Sequence, residues 1–337
     1  MNNVLPISNA PLYSTTPKTG FQEVWYMRLN QLDAIQALWL RFTVLLRADH
    51  SKEVSEVWAI FFNVDGNVTR KIGLKRSWPL NAFTQTDVEA FYIADSCLLA
   101  SRTEGPLKDD QNCIRWSLSF VANRDCQNDF VPASLRRLGL VKNVAWTVHE
   151  RLLFDGWSEV NGERQEWSKA PGMQGHLAGP KNGHSWAWGH CNHFVDESGA
   201  PAQVVWDGLC ARARLGVHAA PPLSSMLIQA GNHTWRFNTL RDAWRIHSAY
   251  DYEGWRFRAR KEGHLFEGRI TARRDDYAGV TYEDTDGSLL YCHNAKICDM
   301  LLEITGPDGN RRRYQAERNV AYEVVDRAPH PDIMFVI

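Results

Sequence analysis

Apolar residues recur at every second position through most of the chain. In LWLRFTVLLR (38–47), Leu38, Leu40, Phe42, Val44 and Leu46 share one face. In CIRWSLSFV (113–121), Ile114, Trp116, Leu118 and Phe120 do the same, opposite Arg115, Ser117 and Ser119. Period two is the pattern of an antiparallel strand with one buried face and one wet face. The same reading predicts strands at 54–62, 88–99, 144–154, 203–213, 244–250, 254–263, 264–272, 288–294 and 297–304. VDGN (64–67), VNGE (160–163), DESG (196–199), DTDG (284–287) and GPDGN (306–310) punctuate them as tight turns. One short helical turn is expected in PASLRRLGLV (132–141), from Leu135, Leu138 and a closing Gly139. The pattern predicts an all-β protein of sandwiches or barrels. So many strands exceed one small barrel. EVWAIFFNVDG (56–66) and HSWAWGHCNHFVDESG (184–199) also share a Trp-Ala core, an Asn and an acidic-glycine turn. Two antiparallel barrel domains packed together are therefore expected, 1–160 and 161–337, divided in the polar stretch SEVNGERQEWSKAPG.

Composition narrows the classes. The chain has 337 residues, 44% hydrophobic and 23% charged, and a formal net charge of −1. No global field draws it to nucleic acid. Its arginine clusters at 311–313, 136–137 and 273–274 are short and read as solvated strand edges or loops. Seven cysteines, none in a CxxC pair, argue against a disulfide framework and a structural zinc ribbon. Reduced thiols are expected. MNNVLPISNAPLYS has neither the basic head nor the apolar core of a signal peptide. A soluble cytoplasmic protein is the expectation, with transient contact at a membrane surface if its substrate is apolar.

The densest chemistry lies in GMQGHLAGPKNGHSWAWGHCNHF (172–194). Read as a strand, 185–194 points Trp186, Trp188, His190, Asn192 and Phe194 one way and Ala187, Gly189, Cys191 and His193 the other. The first face has the character of a lined cavity, the second of a surface packed closely by another backbone. Three readings stay open. His176, His184, His190 and His193 are four imidazoles, but alternation separates His190 from His193, which opposes a metal site. A histidine among tryptophans in a dry pocket is suited to proton transfer, and indole faces to stabilising a cation. Alternatively, the histidines hydrogen-bond backbone and close a barrel corner. Asp95, Glu150 and Asp207 each interrupt an apolar strand. There a carboxyl is either a general acid with a raised pKa or an outward-facing solvated group.

PGMQGHLAG (171–179) followed by GHSWAWGHCNHF (183–194) resembles the central motif of the superfamily of tocopherol cyclases, carotenoid hydratases and AttH-like proteins. VTYEDTDGSLLYCHNAK (280–296) resembles a second recurrent segment, an aspartate-glycine turn followed by Tyr-Cys-x-Asn. FQEVWYMRLN (21–30) resembles the opening strand, with Val24 where a glycine is usual. The resemblance implies two lipocalin-like barrels, an apolar substrate and no required cofactor. It carries over His176 and the Trp186–Trp188–His190 strand as pocket residues.

The expected function is a cofactor-independent cyclase, hydratase or isomerase acting on an isoprenoid or polyketide-like molecule. His176, His190, Asp95, Glu150 and Asp207 are the acid–base candidates, and Trp186, Trp188, Asn192, Trp116 and Tyr291 the substrate-binding ones. A non-catalytic carrier of an apolar ligand and a metal-dependent enzyme built on the histidine cluster are the alternatives. Fourteen tryptophans against six methionines suit a rigid aromatic pocket, and equally a barrel core.

Overall fold

A computed structural model describes residues 6–13, 20–66, 68–137, 141, 143–215 and 218–337. Asn67 of the expected VDGN turn, Leu138 and Gly139 of the expected helix, and residues 1–5 and 14 of the N-terminal stretch lie outside the described residues. The helix itself is Ala133–Arg137.

Two large antiparallel sheets each curl around their own core. In the first, an opening strand (Phe21–Gln31) pairs with Gln36–Leu46, which pairs with Glu53–Asp65 and then Val68–Pro79. On its other side the opening strand pairs with the second arm of a long hairpin, Val144–Val160 and Glu163–Gly179. In the second sheet, a central strand (Ser185–Cys191) lies between Val204–Arg212 and Arg311–Asp326. Arg311–Asp326 forms a closing hairpin with Leu289–Thr305. Strand therefore passes from one sheet to the other between Gly179 and Ser185. The division expected at 160 falls in the turn of the long hairpin, inside the first sheet. The segments expected at 288–294 and 297–304 are one strand whose register shifts near Cys298.

The pattern of LWLRFTVLLR resolves differently from a half-wet strand. Leu38, Leu40, Phe42 and Val44 fill the first barrel with Trp25, Phe61, Phe91 and Trp116. The alternate face is also buried, because Trp39 packs with Trp58, Ile60 and Phe62 against Val280, Tyr282, Leu290 and Ile297 of the second sheet. This shared apolar layer excludes water between the barrels and brings Arg41 and Thr43 into the interior. The second barrel has its own aromatic centre, with Trp206 stacked on Phe257 at 5.3 Å.

Candidate functional site

The central strand follows the expected alternation as far as Cys191, where it ends; Phe194, expected on the tryptophan face, begins another strand and lies in the core of the second barrel. Ala187 and Cys191 enter the core of the second barrel. Trp186 and Trp188 face the first barrel and line a narrow cleft between the two, with a cavity of about 90 Å³. Val24, Tyr26, Trp39, Arg41, Phe130, Trp146 and Leu177 form the first barrel's wall; Leu209, Tyr282 and Glu323 complete the second's. The glycine-rich run explains how Tyr26 reaches this space. Gly175 sits across the ladder from Tyr26, and a Cβ there would lie 2.2 Å from the phenol ring. Tyr26 then meets Trp188 edge to face at 5.6 Å.

The wall is aromatic, yet it takes in charge. The Arg41 guanidinium lies 4.0 Å over the Tyr282 ring and 5.1 Å from that of Trp58, while its Nε donates to Thr43 Oγ1 at 2.9 Å. Glu323 Oε1 accepts from Lys296 Nζ at 2.8 Å. That ammonium is fully buried, 5.6 Å from the Trp188 ring. Burial, then the charges of Asp207, Glu323 and Glu150, hold the Tyr26 phenol well above its ordinary pKa, so it remains a neutral donor. The indole N–H groups of Trp39 and Trp146 are buried without an acceptor.

Behind Trp188 runs a buried polar chain that joins the barrels. Arg28 Nη2 lies 2.7 Å from His190 Nδ1, and His190 Nε2 lies 3.0 Å from Glu150 Oε2. A guanidinium can only donate, so Nδ1 is the acceptor and the imidazole proton sits on Nε2. Burial, with Arg28 adding to it, holds the His190 pKa well below its ordinary value. Asp207 accepts from Thr147 Oγ1 at 2.6 Å, Asn128 Nδ2 at 3.1 Å and Trp188 Nε1 at 3.1 Å. Glu150 has only the one donor, His190, and its Oε1 finds none. Burial, then the Asp207 charge, raises the Glu150 pKa well above the carboxylate range. Burial pushes Asp207 up to about 6, against the pull of its donors. The two carboxyls are near enough for the charge of Asp207 to oppose ionisation of Glu150. Glu150, with a single donor, is therefore the more readily protonated of the two, and Asp207, with three, the better placed to carry the charge.

This places the sequence-selected residues in distinct groups. His190, Glu150, Asp207 and Trp188 form one network. Asn192 ties into it, donating to the Glu150 and Gly172 carbonyls at 3.0 and 2.6 Å. Trp186 and Trp188 line the cleft, whereas the two carboxyls lie behind its wall. His176 lies behind Trp146, stacked on Trp25 at 5.1 Å, its nitrogens facing Ser8 O at 2.6 Å and Glu23 Oε1 at 2.8 Å. Asp95 stands apart. It is exposed in the turn between Ala90–Ile93 and Ser96–Leu98, so it interrupts its apolar run by ending a strand. Trp116 also stands apart from the cleft, because its face points into the first barrel, where Nε1 donates to Thr103 Oγ1 at 3.1 Å. Tyr291 is half-buried against Phe335 at 5.7 Å, outside the cleft lining. His184 meets Ser185, and His193 is half-buried with its pKa lowered by burial. Among the described residues, no group of three or more His, Cys, Asp or Glu is placed to hold a metal ion.

Several site residues escaped the sequence reading: Tyr26, Arg28, Arg41, Lys296 and Glu323. The available signal was a charge inside an apolar strand, as in YMRLN, LWLRF, NAKIC and AYEVV.

Two solved structures share this architecture. One is an AttH-like protein from Nitrosomonas europaea, 10% identical, with a TM-score of 0.51 over 91% of this chain and 93% of that one. The other is kievitone hydratase from Nectria haematococca, 11% identical, with a TM-score of 0.52 over 96% of this chain and 94% of that one. The fold is the AttH-like, double-lipocalin fold. No family profile and no curated sequence matches the chain. No helix among the described residues of this AttH-like fold is long and apolar enough to cross a membrane.

Proposed function

We propose that the cleft between the barrels is the active site of an acid–base enzyme. The enzyme would hydrate, cyclise or isomerise a double bond in an apolar, isoprenoid or polyketide-like molecule. One observation carries this reading: a carboxylate, Glu323, stands in a largely apolar wall with a buried ammonium, Lys296, at its back. A carrier of purely apolar ligands gains nothing from burying such a pair. Glu323 is the group that exchanges one proton with substrate. The proton that the pair holds on Lys296 passes through the Glu323 carboxyl to a double bond and returns to the pair from the hydroxyl or water that captures the resulting cation, so no external oxidant or reductant is consumed. The faces of Trp186 and Trp188 and the Glu323 carboxylate lower the energy of the cationic carbon. Tyr26 and the idle indole N–H groups orient substrate oxygens. The Arg28–His190–Glu150–Asp207 chain fixes Trp188 by its indole N–H. The kievitone hydratase neighbour, a hydratase by name, supports a reaction of this class.

Mass spectrometry of apolar material copurifying with the protein identifies the ligand class. Turnover is then read on a polyprenyl hydroquinone and a prenylated phenol in heavy water. Deuterium should enter the product, and Glu323→Gln should keep binding while losing turnover by ~10²–10⁴-fold. Ligand released unchanged by the parent and by Glu323→Gln alike would establish a carrier instead.

A further inference from the structure

Among the described residues, Trp244 is the most exposed large apolar side chain, at 87%. It lies in a 3-10 turn, Asp242–Arg245, just after Leu240, itself 45% exposed. The turn is built, not slack. Asp242 points inward, where its Oδ2 accepts from Thr239 N at 3.0 Å and Thr239 Oγ1 at 2.7 Å, and its carboxylate meets Lys261 Nζ at 3.2 Å. Holding Asp242 inside turns Leu240, Arg241, Trp244 and Arg245 outward. The turn's one acidic group is thus buried and engaged. Two arginines flank the exposed indole, Arg241 without an ion pair among the described residues and Arg245 only 3.9 Å from Asp242.

The segment leading to the turn reaches the chain next to the cleft wall. On the strand leading to it, Arg236 Nη2 donates to Gln127 O at 3.2 Å, and Asn238 Nδ2 donates to Asp129 O at 3.1 Å. The next residue, Phe130, lines the cleft.

We propose that this turn docks on an anionic phospholipid surface. Trp244 and Leu240 would enter the headgroup boundary, and Arg241 and Arg245 would pair with lipid phosphates or carboxylates, so that the cleft opens beside the bilayer. An indole flanked by guanidinium groups matches the chemistry of a membrane interface, apolar below and anionic above. The charge complementarity selects an anionic surface over a neutral one. The purpose assigned to the docking rests on the reading of the cleft as a site for an apolar substrate; the docking itself is tested without it.

The full chain is sedimented with phosphatidylcholine vesicles, with and without about a third phosphatidylserine, at low and high salt. The parent should cosediment with the anionic vesicles and be released by salt. Arg241→Gln and Arg245→Gln should each weaken binding roughly fivefold. Trp244→Phe should abolish much of the quenching by lipids brominated in their acyl chains, with an unchanged melt. No cosedimentation, or equal binding by parent and variants, overturns the proposal. So does a parent that is dimeric until Trp244 is replaced, since a second copy would then be the occupant. Vesicle binding with an inert Glu323 would sink only the catalytic reading, and turnover without vesicle binding only this one.

Discussion

Glu150→Gln tests the central assignment, a proton held on Glu150 beside the charge of Asp207. An amide is the nearest mimic of a protonated carboxyl. Its oxygen accepts from His190 Nε2, as Glu150 Oε2 does at 3.0 Å, and its N–H₂ takes the place of Oε1, which receives no donor. Every bond of the native network is kept, so the variant should fold with a stability within about 1 kcal/mol of the parent at pH 7. Its pH dependence should differ. The folded Glu150 pKa is raised above its unfolded value of about 4.3, so the folded state holds one proton more than the unfolded state at any pH between the two. Unfolding there releases a proton, and stability falls as pH rises, by ~1.4 kcal/mol per pH unit. Gln cannot titrate, and the fall should vanish in the variant. Histidines with lowered pKa, His190 included, act in the opposite sense at lower pH and are common to both proteins. Urea titrations at three pH values, followed by tryptophan fluorescence, give the two curves. Parallel curves for parent and Glu150→Gln would show that Glu150 carries no excess proton.

Asp207→Asn should fare worse than Glu150→Gln, by about 1–3 kcal/mol in a urea titration. It places an amide among three donors, although Asn128, whose Oδ1 is unpartnered, can turn to meet it. Trp188→Ala should cost ~3–5 kcal/mol and unfold the cleft wall. Trp186→Ala, at a partly exposed position, should cost far less while weakening binding of a polyprenyl hydroquinone by fluorescence titration. All seven cysteines should react in a thiol titration under denaturing, non-reducing conditions, since each is unpaired. Glu23→Ala should speed hydrogen exchange at the Leu12 and Tyr13 amides roughly tenfold, because its carboxylate accepts both, at 2.7 and 2.9 Å.

The sequence made the strands legible because period two survives wherever one face meets a barrel core. It failed where both faces are buried. Gln36–Leu46 reads as one-sided until the second barrel covers Trp39 and Arg41. Glu163–Gly179 was hidden by its glycines, which look like a linker but make room for Tyr26 and the Arg28 backbone. Arg311–Asp326 was hidden by three leading arginines that stand in solvent at the turn end of the closing hairpin.

The same cause limits what could be read of the site. Ser185–Cys191 was legible because its two faces differ in size, large rings against Ala and Gly, and that contrast needs no knowledge of the partner. Asp95 and Asp207 look alike in sequence, each an acid beside apolar neighbours. Only the turn at Ala94–Asp95 and the three donors around Asp207 tell them apart, and those donors come from positions 128, 147 and 188. Lys296 and Glu323 carry the opposite lesson. Each alone is a costly charge in an apolar strand, and the closing hairpin is what makes them a pair. Period reports burial along one strand, whereas a site is made where strands distant in sequence meet. In this protein that meeting is the seam between two barrels. The informative residues are the charges that break the period on strands the seam covers from both sides: Arg28, Arg41, Glu150, Asp207, Lys296 and Glu323.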